Sequence, residues 1–140
     1  MTTNLADALA GEHAAIYGYG VLGAHLTGPA LDLARQAEAA HRTRRDSLLV
    51  RLASATPAPP AADPAYALPF PVTDRTTALS LAVALEEGTA RAWRQTLAQL
   101  GGDTRKVGLD ALTDCAVRAT RWRQLAGITP VTVPFPGAPE

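Results

Sequence analysis

Cysteine, aromatic residues and long apolar runs are scarce in this sequence of 140 residues. Cys115 is its single cysteine, and aromatic residues make up only 5% of the chain. One cysteine cannot form an internal disulfide, so nothing points to an oxidising compartment. The N-terminus lacks a basic region followed by an apolar run, and no segment reaches the roughly 18 uncharged apolar residues of a membrane span. We therefore expect a cytoplasmic protein without a signal peptide or membrane anchor.

Charge of either sign is also limited. The chain has 13 basic and 13 acidic residues, so its formal net charge is zero, and only 19% of its residues are charged. A neutral chain has no general attraction for nucleic acid or for an acidic membrane surface, so we expect neither as a partner. Hydrophobic residues, at 47%, are enough for a packed core and argue against disorder.

Proline, in contrast, is present but unevenly distributed. Of the eleven prolines, six lie between Pro57 and Pro71 and four between Pro130 and Pro139. Because proline costs about 3 kcal/mol inside a helix, these clusters mark segments that cannot be helical. The remaining blocks are rich in Ala, Leu and Arg and poor in β-branched residues, which favours helices.

Each block is interrupted once, at Thr27-Gly28-Pro29 and at Gly101-Gly102-Asp103. Glycine followed by proline or aspartate is typical of one helix ending and the next beginning. Pro29 suits a first helical turn, and Asp74 and Asp103 are candidate N-caps. The sequence therefore predicts four helices, over residues 4–26, 29–54, 74–100 and 103–126.

The segments outside these helices define the architecture. The Pro-rich connection 55–73 is long enough to return along the whole bundle, whereas the other two connections are short turns. We therefore predict a single all-α domain, an up-down four-helix bundle with one long crossover between helices 2 and 3. The tail, residues 127–140, is expected to lie along the bundle surface, with exchange into a partner subunit as the alternative.

Each predicted helix carries a carboxylate on its apolar face, close to its midpoint. These residues are Glu12, Glu38, Glu86 and Asp114. They follow the three- and four-residue spacing of the apolar stripes, so all four are expected to point inward at a similar height. Inward carboxylates are costly unless they are paired, protonated or bound to metal.

The two predicted helix pairs also resemble each other. The run Leu-Ala-Gly-Glu12 parallels Val-Ala-Leu-Glu86, and a Pro-Phe-Pro segment follows each pair, at Phe70 and at Phe135. An internal duplication accounts for both similarities, although Ala-rich helices also align by chance.

The spacing Glu38-Ala-Ala-His41 places a carboxylate and an imidazole one turn apart on one helical face. In di-iron and di-manganese bundles, two helices each supply one Glu and the other two each supply Glu-x-x-His. With Glu12 and Glu86 at the single-Glu positions, the chain resembles the ferritin-like superfamily, and more closely a bacterial ferritin-like domain family of unknown function. The resemblance implies iron or manganese held by Glu12, Glu38, His41 and Glu86, with Asp114 as an auxiliary ligand, and a redox or peroxide-handling role.

The second Glu-x-x-His is missing, because Val117 stands where a histidine is needed. Arg45 and Arg121 lie one turn beyond His41 and Val117 and are candidates to neutralise the carboxylates without metal. Our preferred prediction is thus a non-catalytic ferritin-like protein without a cofactor, a homodimer whose degenerate metal site is filled by arginine. The alternative is a metal-dependent redox protein. Loss of metal in His41→Ala would distinguish the two.

Overall fold

The computed structural model describes residues 2–59 and 61–139, with side chains from residue 5 onward. Its elements are four helices: α1 (Thr2–Gly23), α2 (Gly28–Arg51), α3 (Arg75–Leu97) and α4 (Gly102–Ala126). The described part of the chain contains no β-strand. The predicted all-α, four-helix architecture is confirmed. In the same part of the chain, no helix has the length and apolarity that a membrane span needs.

The helix starts follow the capping residues, with one difference. Pro29 lies in the first turn of α2, and Asp74 caps α3 by accepting a hydrogen bond from the Thr77 backbone at 2.8 Å. Gly101, not Asp103, is the N-cap of α4. Asp103 lies in the first turn instead, where its negative charge still favours the helix dipole.

The first three helices end about one turn before the predicted ends. Past each end the backbone makes tighter three-residue hydrogen bonds, such as His25 N to Leu22 O and Gln99 N to Thr96 O. Leu26, Leu52 and Leu100 nevertheless remain buried. The apolar stripe therefore continues beyond the helix, which is why periodicity alone overestimates the helix lengths.

Two apolar clusters fill the ends of the bundle. One cluster joins the end of α1 to the starts of α2 and α3 and includes Leu22 and Leu81; the other includes Leu9, Leu48 and Trp93. Because the end of α1 and the start of α3 share a cluster, these two helices are antiparallel. The crossover therefore spans the bundle, with Ala55 against one cluster and Phe70 against the other.

The helices α1 and α3 approach closely at Gly18. A Cβ atom at this position would lie 2.6 Å from the side chain of Leu85 in α3. The missing side chain lets α1 and α3 pack tightly along their length, whereas α2 and α4 make little contact with each other. The bundle is thus closed on the α1–α3 side and open between α2 and α4.

The tail lies along α3 and α4 of its own chain. Arg123 donates to the Pro130 carbonyl at 2.8 Å, and Arg94 donates to the Pro136 carbonyl at 3.1 Å. At Gly137, with φ +75°, a Cβ would lie 2.6 Å from the Ala90 carbonyl oxygen, so the backbone rests directly on α3. The tail is therefore fixed at both ends of the segment 130–137.

Candidate functional site

A layer of charged side chains lies between the two apolar clusters, at the middle of the bundle. Its centre is formed by Glu12 from α1, His41 from α2 and Glu86 from α3, each with 0% exposure. Arg44, Asp114 and Arg118 surround this centre on the side of α2 and α4. These six residues are called the polar layer below. Three of the five predicted site residues, Glu12, His41 and Glu86, are therefore brought together.

The His41 ring connects the two buried glutamates. Its Nδ1 lies 2.5 Å from Glu12 Oε2, and its Nε2 lies 2.9 Å from Glu86 Oε1. Each ring nitrogen must donate a proton if both carboxylates are ionised, which makes the ring an imidazolium. His41 thus holds two buried carboxylates at once, one on each side of its ring.

Two aromatic side chains donate hydrogen bonds to the buried carboxylates in a reciprocal arrangement. Tyr19 lies seven residues after Glu12 but donates to Glu86 Oε1 at 2.5 Å. Trp93 lies seven residues after Glu86 but donates to Glu12 Oε1 at 2.8 Å. Antiparallel α1 and α3 bring each aromatic residue opposite the other helix's glutamate. The result is an approximate two-fold relation between the two helices.

The hydrogen bonds continue beyond the glutamates. Trp122 Nε1 donates to the Tyr19 hydroxyl at 2.8 Å. A continuous path therefore runs from Trp122 through Tyr19, Glu86, His41 and Glu12 to Trp93. Since all members of this path are buried, every bond lies in a region of low dielectric, where a paired polar group is strongly held and an unpaired one is costly.

Two arginines bring positive charge to the layer from its half-exposed side. Arg44 Nη1 lies 3.2 Å from Glu12 Oε1, and its Nη2 lies 2.7 Å from Asp114 Oδ2. Arg118 Nη1 lies 2.9 Å from Asp114 Oδ2 and 3.5 Å from Glu86 Oε1. Asp114 therefore links both guanidinium groups, although its side chain is 38% exposed and does not reach the centre.

The charges of the layer shift its proton affinities. Burial disfavours a charged imidazole, but the hydrogen bonds to Glu12 and Glu86 outweigh it and raise the pKa of His41 to about 9. Burial also favours a neutral Glu12, yet its hydrogen bond to His41 and the nearby charges of His41 and Arg44 leave the pKa of Glu12 below its usual value. The pKa of Tyr19 is raised by burial and by the Glu86 charge, which keeps its hydroxyl a donor.

Cys115 borders the layer but is inaccessible. Its side chain has 0% exposure, and Arg44 Nη1 lies 3.8 Å from its sulfur. Burial and the negative charge of Glu86 raise the pKa of the thiol well above its usual value. The thiol is therefore neutral and unreactive at physiological pH, in agreement with a buried small side chain.

The other predicted residues lie elsewhere. Glu38 is turned to the surface, where Arg42 Nη2 binds it at 2.8 Å. Arg45 pairs with Asp46, and Arg121 is exposed, so neither neutralises the buried carboxylates as predicted. Arg44 and Arg118 take that role. In α2, the inward-facing positions continue from His41 by three residues to Arg44, whereas the prediction had used four. In α4, they continue from Asp114 by four residues to Arg118, whereas the prediction had used three.

Tyr19, Trp93, Arg44 and Arg118 are the functional residues that sequence reasoning missed. For the aromatic pair a signal existed, because Tyr19 and Trp93 follow Glu12 and Glu86 at the same seven-residue distance. For Arg44 the signal was ambiguous, since neighbouring arginines at 42, 44 and 45 differ only in their direction around α2.

This geometry is accompanied by a clear family relationship. Residues 4–140 match the family described as "Domain of unknown function (DUF4439)". The chain belongs to this family. The DUF4439 chain is also similar to the crystal structure of a conserved hypothetical protein, rv2844, from Mycobacterium tuberculosis, with 40% identity and a TM-score of 0.81 over 88% of this chain and 94% of that one. No curated protein matches it.

The side chains of this DUF4439 domain do not fit a metal ion as they are arranged. Both ring nitrogens of His41 are directed at carboxylates on opposite sides, so neither offers a lone pair to a cation held by Glu12 and Glu86. Glu38 is engaged by Arg42, outside the layer. Across residues 2–59 and 61–139, no group of three or more His, Cys, Asp and Glu side chains is placed to hold a metal ion.

Proposed function

We propose that this DUF4439 domain is a non-catalytic ferritin-like protein in which side-chain cations take the place of a metal pair. The observation that carries the proposal is the double hydrogen bond of His41 to Glu12 and Glu86. An imidazolium bound on both sides supplies the positive charge that two buried carboxylates require. The ring then acts as a structural cation.

The charge balance of the polar layer supports this proposal. Its acids are Glu12, Glu86 and Asp114, and its cations are His41, Arg44 and Arg118. Three negative charges thus meet three positive charges, with every acid within 3.5 Å of at least one cation. A buried ionic layer that neutralises itself needs no bound ion, and its main role is to fix the register of the four helices.

The alternative is a metal-dependent redox or peroxide-handling protein that uses Glu12, Glu38, His41, Glu86 and Asp114 with iron or manganese. One observation favours it: Glu86 Oε2 is buried and accepts no N–H or O–H hydrogen bond from a described residue. For metal to bind, His41 would have to release one carboxylate, and Glu38 would have to leave Arg42 and turn inward. Both changes act against contacts present in the structure.

Elemental analysis of purified protein separates the two candidates. The protein is produced in medium supplemented with iron and manganese, beside His41→Ala and the control Arg45→Ala, whose side chain pairs with Asp46 outside the layer. We expect well below about one ion per chain in all three proteins, because the layer already holds its cations. About one or two ions per chain, lost in His41→Ala but kept in Arg45→Ala, would establish the metal-dependent alternative.

A nitrogen-15 NMR spectrum of the histidine side chains provides the positive evidence that elemental analysis lacks. We expect both ring nitrogens of His41 to carry protons at pH 7, because the pKa of His41 is raised to about 9. The half-buried ring of His25, which is not part of the polar layer, serves as an internal reference. A neutral His41 ring at pH 7 would contradict the structural role proposed here.

We also propose that the chain forms a homodimer. Apolar side chains are exposed on α4 and on the tail, among them Val117 at 49%, Val133 at 40% and Phe135 at 69%. Apolar side chains gathered on one face are typical of surfaces that associate. Sedimentation equilibrium is expected to give twice the chain mass for the protein and a lower average mass for Phe135→Ser; a monomeric native chain would refute this.

A further inference from the structure

On the side of α2 and α4, the protein covers the polar layer only partly. Between α2 and α4 lies an open groove of about 490 Å³. Small side chains line it, including Ala40, Thr43 and Ser47 from α2 and Ala111 from α4. The two helices make little direct contact, and because these side chains are short they leave the space between α2 and α4 unfilled.

The Arg44 side chain crosses this groove. It starts on α2, binds the half-exposed Asp114 of α4 at 2.7 Å, and reaches the fully buried Glu12 at 3.2 Å. Its own side chain is 15% exposed. The same guanidinium group therefore touches both the solvent side and the buried side of the layer, and it lies between the groove and the sulfur of Cys115 at 3.8 Å.

We infer that the groove between α2 and α4 is an entrance to the polar layer for small polar solutes, and that the Arg44 side chain is the gate that closes it. The inference rests on the proposed function, since it treats Arg44 as one of the cations that fill the layer. Its outer anchor, Asp114, is the weaker one, because a half-exposed ion pair is screened by water and salt. Release from Asp114 lets the side chain swing into the groove, which uncovers Glu12 and Cys115.

Cys115 is a natural reporter for this gate. It is the only cysteine of the chain and has 0% exposure. Alkylation by a small neutral reagent such as iodoacetamide therefore measures access to the layer directly. In the native protein the reaction requires a local opening and is expected to be slow.

The experiment compares the alkylation rate of the native protein with those of Arg44→Ala, Asp114→Ala and Arg45→Ala under native conditions. We expect at least about a tenfold faster reaction in Arg44→Ala, a smaller increase in Asp114→Ala and no change in Arg45→Ala, because only the first two remove the gate or its anchor. Loss of the Arg44 positive charge by itself disfavours the reactive thiolate of Cys115. A faster reaction would therefore reflect access and not electrostatics.

Global unfolding also exposes Cys115, so the free energy of unfolding is measured for each variant by urea denaturation. The gate is overturned if the rate in Arg44→Ala rises only as much as its unfolding equilibrium does, or if Arg45→Ala reacts equally fast. If Arg44→Ala does not fold, Asp114→Ala decides alone by the same criterion. The outcome is separate from the proposed function: a metal-binding native protein would refute that function, whatever the alkylation rates are.

Discussion

The two helix pairs of the bundle are similar in position but unequal in what they contribute to the polar layer. Glu12 and Glu86 are equally buried, and Tyr19 and Trp93 donate reciprocally to the opposite glutamate. The next pair of equivalent positions, 41 in α2 and 117 in α4, differs. His41 has 0% exposure, whereas Val117 is 49% exposed at the surface of α4.

The arginines show the same inequality. Arg42 and Arg118 each follow an acidic residue by four positions, Glu38 and Asp114, and each binds it. Yet the Arg42 side chain is 52% exposed, and the Arg118 side chain, at 11%, also lies near Glu86. One histidine serves both central carboxylates, so a second one is not needed, and the second pair supplies a guanidinium instead. The predictions below test this division of roles.

Loss of His41 is expected to have the largest effect. His41→Ala leaves Glu12 and Glu86 buried without their shared cation, and breaking a buried ion pair in this way costs about 3–5 kcal/mol. Urea denaturation measures the free energy of unfolding. The matched control is Val117→Ala at the equivalent position, for which we expect a change within about 1 kcal/mol because its side chain is half exposed. Equal losses in the two variants would mean that the helix pairs are equivalent after all.

The stability of the protein is expected to fall on the alkaline side. The pKa of His41 rises from 6.5 in the unfolded chain to about 9 in the folded protein, so the folded state holds this proton more tightly. The resulting stabilisation, about 3 kcal/mol, is complete below pH 6.5 and is lost as the pH increases through 9.

Urea denaturation between pH 6 and pH 10 checks this dependence, because this range includes both pKa values, about 6.5 and about 9. The control is His41→Gln, which removes the titrating ring and keeps every other ionisable residue. We expect the difference in unfolding free energy between the two proteins to shrink as the pH rises. A difference that is independent of pH would show that folding does not raise the pKa of His41, and the division of roles between the helix pairs would then need another cation.

The sequence predicts the bundle well because the fold depends on repeated, local signals. Proline clusters, the Gly28-Pro29 turn and the Asp74 cap each act on a few neighbouring residues, so four helices and one long crossover follow. The site is predicted less completely, because it depends on the direction of single side chains. Glu38 and Asp114 follow the apolar spacing of their helices, but Arg42 holds one at the surface and two arginines hold the other at the rim. A rotation of a few tens of degrees about the helix axis decides whether such a side chain faces the interior or the surface. The spacing of residues along the sequence does not resolve so small an angle.

Tyr19→Phe tests the reciprocal aromatic pair and is expected to have an intermediate effect. The change removes a hydrogen bond to a buried carboxylate and leaves Trp122 Nε1 without its acceptor. Hydrogen bonds to charged groups contribute about 1.5–3 kcal/mol, and we expect a loss in this range. Tyr17→Phe is the matched control, since the Tyr17 ring packs on Tyr66 outside the layer. If both variants lose the same stability, the Tyr19 hydroxyl has no special role.

The smallest effect is expected at Arg42, which is equivalent to Arg118 when the two helix pairs are compared. The Arg42 side chain is 52% exposed, and exposed ion pairs four residues apart on a helix contribute only about 0.3–0.5 kcal/mol. Arg42→Ala should therefore change the unfolding free energy by no more than this.

Arg118→Ala also removes an arginine four residues after an acidic residue, but this arginine is a cation for both Asp114 and buried Glu86. We therefore expect a loss several times larger there, about 1–3 kcal/mol, in urea denaturation at low salt. Added salt should reduce the Arg42 contribution by a larger fraction than the Arg118 contribution, because the contact of Arg118 with buried Glu86 is screened less than an exposed pair. The opposite salt response would contradict the assignment of Arg118 to the polar layer and of Arg42 to the surface.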